Sequence, residues 1–141
     1  MLNDGLKLTG KLTIALNDEI VQEVPNLVVT AGKGYVASRM KDTSATAMSH
    51  MAIGSGNTAA AAGNTALESE LARTGLTSTT VSGADIVYVD TFAAGTGTGA
   101  VKEAAILNAS SGGTMLCRTV FSVVNKGAND AMTITWTVTV S

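Results

Sequence analysis

The last segment of the chain, from Met132 to Val140, alternates apolar residues with threonine without an error. Successive side chains of a β-strand point to opposite faces of the sheet. Ile134, Trp136 and Val138 are therefore predicted to share one face with the other apolar residues, while the threonines occupy the other face. This pattern is typical of a half-buried strand in an antiparallel sheet. We accordingly expect Trp136 in the core.

Similar segments recur along the chain and are separated by turn signals such as Asn17-Asp18. Pro25 interrupts one of them, and a proline at this position predicts a sheet edge or a corner. Besides the last segment, strands are predicted at 6–16 (as one strand or a pair), 19–24, 27–30, 48–53, 76–81, 85–92, 101–108 and 114–124. Many short strands without intervening crossover helices predict an antiparallel all-β sandwich or barrel. The length predicts a single domain over residues 1–141.

Two short helices are predicted as insertions between the strands. The first covers residues 32–41, where apolar residues give one semi-apolar side. The second begins at a capping box formed by Thr65 and Glu68, with Leu67 and Leu71 one turn apart, and ends near Gly75. The fold class predicted is therefore all-β with one or two short helices.

Composition narrows the classes of function. Charged residues make up only 14% of the chain and aromatic residues 4%, and the formal net charge is −2. A surface of low charge density suits packing against other protein, whereas nucleic-acid binding needs a basic stripe that is missing from the sequence. No apolar run approaches the roughly 20 residues of a membrane span. The start of the chain does not resemble a signal peptide, so we expect synthesis and use in a cytosol.

Two glycine-rich segments resemble nucleotide-binding motifs, and both fail the wider test. Gly95–Ala100 fits the spelling G-x-G-x-x-A, but a predicted strand follows it and no acidic residue stands about 20 positions later. Thr30–Gly34 lacks the early glycine of a phosphate-binding loop and the hydroxyl residue after Lys33. We interpret the first segment as a hairpin loop and the second as a strand-to-helix turn.

The remaining reactive residues do not form a catalytic set in the sequence. His50 and Cys117 are the only histidine and the only cysteine, and each is interpreted as structural. Glu103 stands in an otherwise apolar strand, so we expect it to form an ion pair with Arg73, Lys102 or Arg118. The sequence thus predicts a protein that is not an enzyme and uses neither a cofactor nor a metal.

An ordered series of motifs in the last two-thirds of the chain resembles capsid cement (decoration) proteins of tailed bacteriophages, in particular of short-tailed, tropism-switching phages. The series comprises Ile53-Gly54-Ser55-Gly56, then Leu67-Glu68-Ser69-Glu70-Leu71-Ala72-Arg73, then Glu103 with Asn108, Met115 to Phe121 with Arg118, Lys126, and the alternating final strand. Related patterns also occur in tail-fibre and baseplate proteins.

The resemblance implies a jelly-roll-like sandwich that decorates the outer capsid surface. It also implies that the protein stabilises contacts between major capsid proteins, forms a homodimer, and is assembled in the host cytoplasm. Neither nucleic acid nor membrane is an expected partner. A tail-fibre, baseplate or host receptor-binding module is the alternative function. No catalytic residue is implied.

Partner contacts are predicted at a sheet edge, where unpaired N–H and C=O groups can be completed by another chain. The candidate is the segment 6–16, with Leu6, Leu8 and Leu12 supplying apolar contacts. The competing interpretation makes this segment an inner strand of its own sandwich. In that case the contact is expected in the loop 54–63, with Ser55 and Asn57 as candidate residues.

Overall fold

A computed structural model describes residues 6–41 and 45–141. These residues form ten strands and one helix: β1 Leu8–Leu16, β2 Glu19–Pro25, β3 Leu27–Val28, α1 Thr30–Lys41, β4 His50–Gly54, β5 Glu70–Gly75, β6 Ser78–Ser82, β7 Asp85–Phe92, β8 Gly99–Leu107, β9 Met115–Lys126 and β10 Met132–Val140.

The strands form two five-stranded antiparallel sheets. Sheet A has the order β2-β1-β10-β7-β6, and sheet B has the order β3-β9-β8-β4-β5. The prediction of an all-β sandwich with a short helix is confirmed. The jelly-roll connectivity that the resemblance implies is not confirmed.

The core between the sheets follows from the alternation of β1 and β10. These strands pair so that Leu12 lies opposite Trp136 and Ile14 opposite Ile134. Since residues opposite each other in a sheet share a face, the pairing concentrates large apolar side chains in one layer. The Trp136 side chain is fully buried, as predicted, and packs with Phe92 and other side chains of both sheets.

The predicted turn and edge signals are confirmed as well. Asn17 and Asp18 both have positive φ angles, 50° and 68°, which is the type I′ geometry that joins β1 to β2 in a tight hairpin. β2 is an edge strand, and Pro25 is its last residue. Proline is tolerated there because its missing N–H is not needed by a further strand.

Sheet B is covered on its second face too, which gives the molecule a smaller second cluster. Val29, Ala52, Ala105, Leu107 and Met115 are buried there, with Leu67 packed against them.

Helix α1 packs closely against β9. A Cβ atom at Gly32 would collide with the carbonyl oxygen of Leu116, so only glycine permits this approach. In the described part of the chain, no helix has the length and apolarity needed to cross a membrane.

The predicted second helix is wrong. Residues 70–75 form strand β5, which pairs with β4 through Met51↔Thr74 and its neighbours. The Glu68 carboxylate does not return to Thr65 as in a capping box but accepts hydrogen bonds from the N–H groups of Asn57 and Thr58. Tertiary hydrogen bonds and strand pairing therefore override a local helical pattern.

Replacing Trp136 tests the layer on which the sandwich depends. Trp136→Ala should lower the free energy of unfolding by about 3–5 kcal/mol, because it leaves a large cavity between the sheets. Trp136→Phe should cost less, because it keeps an apolar ring and removes the indole Nε1, a buried donor without a partner. Urea denaturation measures both, with Thr135→Ala on the opposite face of β10 as the control. Equal midpoints for Trp136→Ala and the wild type would contradict the assignment.

Candidate protein-interaction site

The N-terminal strand is not the free edge that the sequence suggested. β1 lies inside sheet A, between β2 and β10, and even Lys7 exchanges backbone hydrogen bonds with Ser141. Leu12 is fully buried, and Leu8 is partly buried against the same core. That part of the prediction is wrong, because the alternating side chains of β1 and β10 bury each other. Among the three leucines only Leu6 is largely exposed, at 68%.

The other two predicted residues, Ser55 and Asn57, begin the connection between β4 and β5. These strands are antiparallel neighbours, yet residues 55–69 separate them without any helix or strand. Hairpin loops usually have 2–5 residues, and much longer connections tend to carry function. We call this connection the 55–69 loop. It covers the outer face of sheet B, where its Leu67 joins the second cluster.

A single buried carboxylate fixes both ends of the 55–69 loop. Glu103 is on β8 and has no exposed surface. Its Oε2 accepts hydrogen bonds from the N–H groups of Gly56 and Ser69, both at 2.8 Å, and its Oε1 accepts one from the N–H of Glu68 at 2.9 Å. Backbone N–H groups that would be unsatisfied beneath the loop are thereby paired.

Arg118 on β9 fixes the middle of the same loop. Its guanidinium lies 3.0 Å from the Glu103 carboxylate in a buried ion pair. It also donates to the Asn64 side-chain oxygen and to the Thr58 carbonyl, each at 3.0 Å. The predicted ion pair of Glu103 is confirmed, and Arg118 is its partner.

A second acid ties the loop to itself at the surface. The Glu68 carboxylate accepts hydrogen bonds from the Asn57 N–H at 2.8 Å, from the Thr58 N–H at 3.1 Å and from the Thr58 hydroxyl. The start and the end of the loop are thus joined twice, once below by Glu103 and once above by Glu68.

Two glycines leave room for this arrangement. A Cβ atom at Gly54 would stand 2.6 Å from Oε2 of Glu103, and one at Gly56 would stand 2.5 Å from the same oxygen. Both contacts are closer than real Cβ atoms make. The two glycines of the motif Ile53-Gly54-Ser55-Gly56 therefore have a physical reason: they let the backbone approach a buried carboxylate closely.

The hydrogen bonds stabilise the charged forms of both acids. For Glu103, burial by itself raises the pKa. The N–H groups of Ser69 and Glu68, the Arg118 side chain and the Gly56 N–H oppose this, and together they hold the pKa below its ordinary value. The pKa of Glu68 is lowered too, first by the hydroxyl and then by the N–H of Thr58.

Further residues of the quoted motifs hold the turn beside the loop. Arg73 donates to the carbonyl oxygens of Ala109 and Gly112, at 3.0 and 2.9 Å. Asn108 accepts a hydrogen bond from the Thr114 N–H at 2.7 Å. The polar residues of the series thus act here as a scaffold for connections on one side of sheet B.

The face that the loop presents to solvent is neutral and built of small side chains. Residues 55–67 include no charged residue. The exposed positions among them are Asn57, Thr58, Ala59, Ala61, Ala62, Gly63, Thr65 and Ala66. Small side chains on a fixed backbone suit close packing against another protein.

The other candidate groups stay apart from this surface or within the core. Cys117 is buried as predicted, and burial raises the pKa of its thiol well above the ordinary value. His50 is partly buried, and its Nδ1 lies 2.8 Å from the Ser49 hydroxyl. Over residues 6–41 and 45–141, His, Cys, Asp and Glu side chains form no group of three that could hold a metal ion.

The two glycine-rich segments have structural positions. Thr30–Gly34 is the first part of α1, so the helix begins within the segment predicted as a strand-to-helix turn. Gly95–Gly99 leads from β7 in sheet A to β8 in sheet B. Its interpretation as a hairpin loop is therefore wrong, because the strands that it joins belong to different sheets.

Comparison with known proteins identifies no relative of this chain: no protein-family model, no curated protein and no solved structure matches it.

Removing the negative charge of Glu103 should loosen the 55–69 loop. Glu103→Gln leaves Arg118 buried without a counter-charge, which should lower the free energy of unfolding by about 3–5 kcal/mol. Hydrogen–deuterium exchange should show faster exchange at the N–H groups of residues 56, 68 and 69. Glu70→Gln breaks the pair with Arg73 on the Glu70 side, which is open to solvent, and leaves Arg73 its carbonyl partners, so it should cost at most about 1 kcal/mol. Equal effects of the two variants would refute the anchoring role.

The Glu103 anchor also predicts that the stability of the fold depends on pH. The pKa of Glu103 is lower in the folded state than in the unfolded chain. Its ionised carboxylate therefore adds to the free energy of unfolding at pH values above the unfolded pKa. This contribution is lost as the pH falls through the folded pKa. The wild type should therefore lose stability on acidification more steeply than Glu103→Gln, as measured by urea midpoints across the acidic range. Parallel profiles would contradict this.

Proposed function

We propose that this chain is a virion structural protein, namely a capsid cement protein of a tailed bacteriophage. It binds the outer surface of the assembled head and stabilises contacts between major capsid proteins. Assembly takes place in the host cytoplasm, and the protein carries out no catalysis. The motif series supports the assignment to cement proteins. The geometry of the 55–69 loop supports binding through this loop to the capsid surface.

The observation that carries the proposal is the contrast between the two sides of the 55–69 loop. Its inner side is held by Glu103 and Arg118, whose exposed fractions are 0% and 2%. Over residues 55–67 its outer side offers small, neutral groups, and the one exposed charge, Glu68, is paired with the N–H groups of Asn57 and Thr58. Burying an ion pair is costly unless its hydrogen bonds are satisfied. A buried anchor of this kind is expected where the outer surface of the loop must keep one shape. A protein–protein interface has that requirement.

A fixed loop also reduces the cost of association. Ordering a flexible segment on binding costs free energy, and a segment that is already ordered avoids this cost. Small side chains lose little rotamer freedom when buried. Each copy can therefore contribute a modest but net favourable contact, and many copies on one capsid act together.

The alternative function, a tail-fibre, baseplate or host receptor-binding module, has less support. Sugar and receptor recognition commonly uses exposed aromatic rings. All five aromatic residues of this chain lie in the described ranges. Tyr88, Phe92, Phe121 and Trp136 are buried, and Tyr35 is partly buried against the core. We therefore favour the cement function.

Co-sedimentation with capsids tests the proposal directly. Purified protein is mixed with empty, expanded capsids of the phage that encodes the chain and is spun through a sucrose gradient. Wild-type protein should travel with the capsids, whereas Asn57→Arg and Ala59→Arg should remain at the top, because each places a long charged side chain on the neutral loop face. Thr91→Arg, on the exposed face of β7, is the matched control and should bind normally. Wild-type protein that never sediments with capsids would rule out the cement function.

Capsid stability gives an independent readout. A ligand that binds the assembled shell and not the free subunits stabilises the shell by mass action. Capsids stripped of the protein should therefore rupture at a lower temperature, and added wild-type protein should restore the original temperature. Dye-release thermal scans measure this, with Asn57→Arg as the negative control. Identical rupture temperatures with and without protein would count against the proposal.

The proposed absence of catalysis is tested at the only histidine and the only cysteine of the chain. His50→Ala and Cys117→Ser should leave capsid binding and infectivity unchanged, apart from effects on folding. Lost infectivity in a variant that folds and binds capsids normally would overturn this part.

A further inference from the structure

The four edges of the two sheets differ in how well they are protected from pairing with another chain. Edge strands are commonly protected by charge, by proline or by being very short. β2 carries Glu19 and Glu23 and ends at Pro25. β5 carries Glu70 and Arg73, which pair with each other. β3 has only 2 residues.

The remaining edge, β6, has none of these protections. Its 5 residues, Ser78 to Ser82, are all exposed and uncharged. It pairs with β7 on one side, from Ser78↔Val89 to Ser82↔Asp85, and it is the last strand in the order of sheet A. Within the described ranges no strand pairs with its other side. The neighbouring residues 76, 77, 83 and 84 are uncharged as well.

The sequence of β6 is nearly the same read in either direction. Antiparallel pairing of two copies about Thr80 would place Ser78 opposite Ser82, Thr79 opposite Val81, and Thr80 opposite Thr80. Cross-strand pairs of hydroxyl and β-branched residues are favourable, and no like charges meet. Pairing two copies of β2 in the same way would bring Pro25 into the hydrogen-bond ladder, where its missing N–H would leave one bond unmade.

We propose that two copies of this chain associate through their β6 edges, with a two-fold axis at Thr80, so that the two sheets A become one continuous ten-stranded sheet. The contact is isologous, with the same strand of each copy on both sides, as expected for a closed dimer.

The inner face of β6 gives a second reason for choosing another copy as the occupant. Val81 is 69% exposed although it lies on the face of sheet A that carries the core, opposite Ile86. Thr79 and Val81 border an apolar groove of about 350 Å³ that reaches Ile86 and Tyr88 on β7 and Val36 on α1. Residues opposite each other share a face. Two-fold pairing would therefore set Thr79 of each copy against Val81 of the other and join the two grooves.

A homodimer is also what the resemblance to cement proteins implies, but the β6 contact and the proposed capsid contact use different surfaces and can be tested separately. A β6 contact uses the edge of sheet A, whereas the proposed capsid contact uses the loop that covers sheet B. Pairing over 5 residues buries less area than a standard interface. We therefore expect a dimer whose population depends on concentration.

Thr80→Lys tests the contact. Two lysines would face each other at the two-fold axis, and the like charges oppose pairing. Sedimentation velocity over a concentration series should show a monomer–dimer equilibrium for the wild type and a monomer for Thr80→Lys. Ile20→Lys, at an exposed position of the β2 edge, is the matched control and should dimerise like the wild type. Circular dichroism and urea midpoints confirm that each variant is folded.

Thr80→Cys provides a second variant that does not depend on weakening the dimer. Side chains opposite each other in antiparallel strands have Cβ atoms about 4.5–5.5 Å apart, close enough for a disulfide after small adjustments. The only native cysteine, Cys117, is buried, so it should not contribute to cross-linking. Mild oxidation should convert Thr80→Cys to a covalent dimer at least tenfold faster than Ile20→Cys.

The outcomes separate the possibilities. A wild type that stays monomeric at all concentrations, together with equal cross-linking rates for the two cysteine variants, overturns the dimer. A dimer that survives Thr80→Lys but not Ile20→Lys shows that the copies meet at β2 and overturns the β6 assignment. Failure of capsid binding with intact dimerisation would contradict the cement function alone.

Discussion

The 55–69 loop depends on one buried ion pair, Glu103 with Arg118. Separated from water, either charge alone would be strongly unfavourable, and the pair persists because each partner has further hydrogen bonds. Those bonds come from the loop that covers the pair. The relation is mutual, since the loop excludes water from the charges and the charges hold the loop. Sheet B therefore has two covered faces in a small protein, one under sheet A and one under an irregular segment.

The fold was predictable where the pattern is local. The alternation in β10, the turn at Asn17-Asp18 and the edge signal of Pro25 each follow from the chemistry of a few adjacent residues, and each is confirmed. The capping box at Thr65 failed because the Glu68 carboxylate binds Asn57 and Thr58 at the start of the same loop, outside the window of a local helical pattern. The free N-terminal edge failed for a similar reason, since only the partner β10 decides whether β1 is inside a sheet.

The candidate site was predictable only in part. A charged residue in an apolar strand must find a partner, so an ion pair of Glu103 could be expected, although three cations were open. Ser55 and Asn57 could be chosen because they lie in a long loop. The contributions of Asn64, Thr58 and Glu68 could not be derived, because their hydrogen bonds to distant residues leave no periodic signal.

The order of the anchors along the chain has a consequence for biosynthesis. A ribosome makes residues 55–69 before it makes Glu103 and Arg118, which lie 47 and 60 positions beyond their contacts Gly56 and Thr58. β1 likewise waits for β10, the last strand to emerge. Large parts of the structure must therefore wait until β10 has been made, as contacts distant in sequence require. A nascent chain that has not reached Arg118 does not have both anchors of the 55–69 loop, so the loop cannot take its final shape before residue 118 has been made.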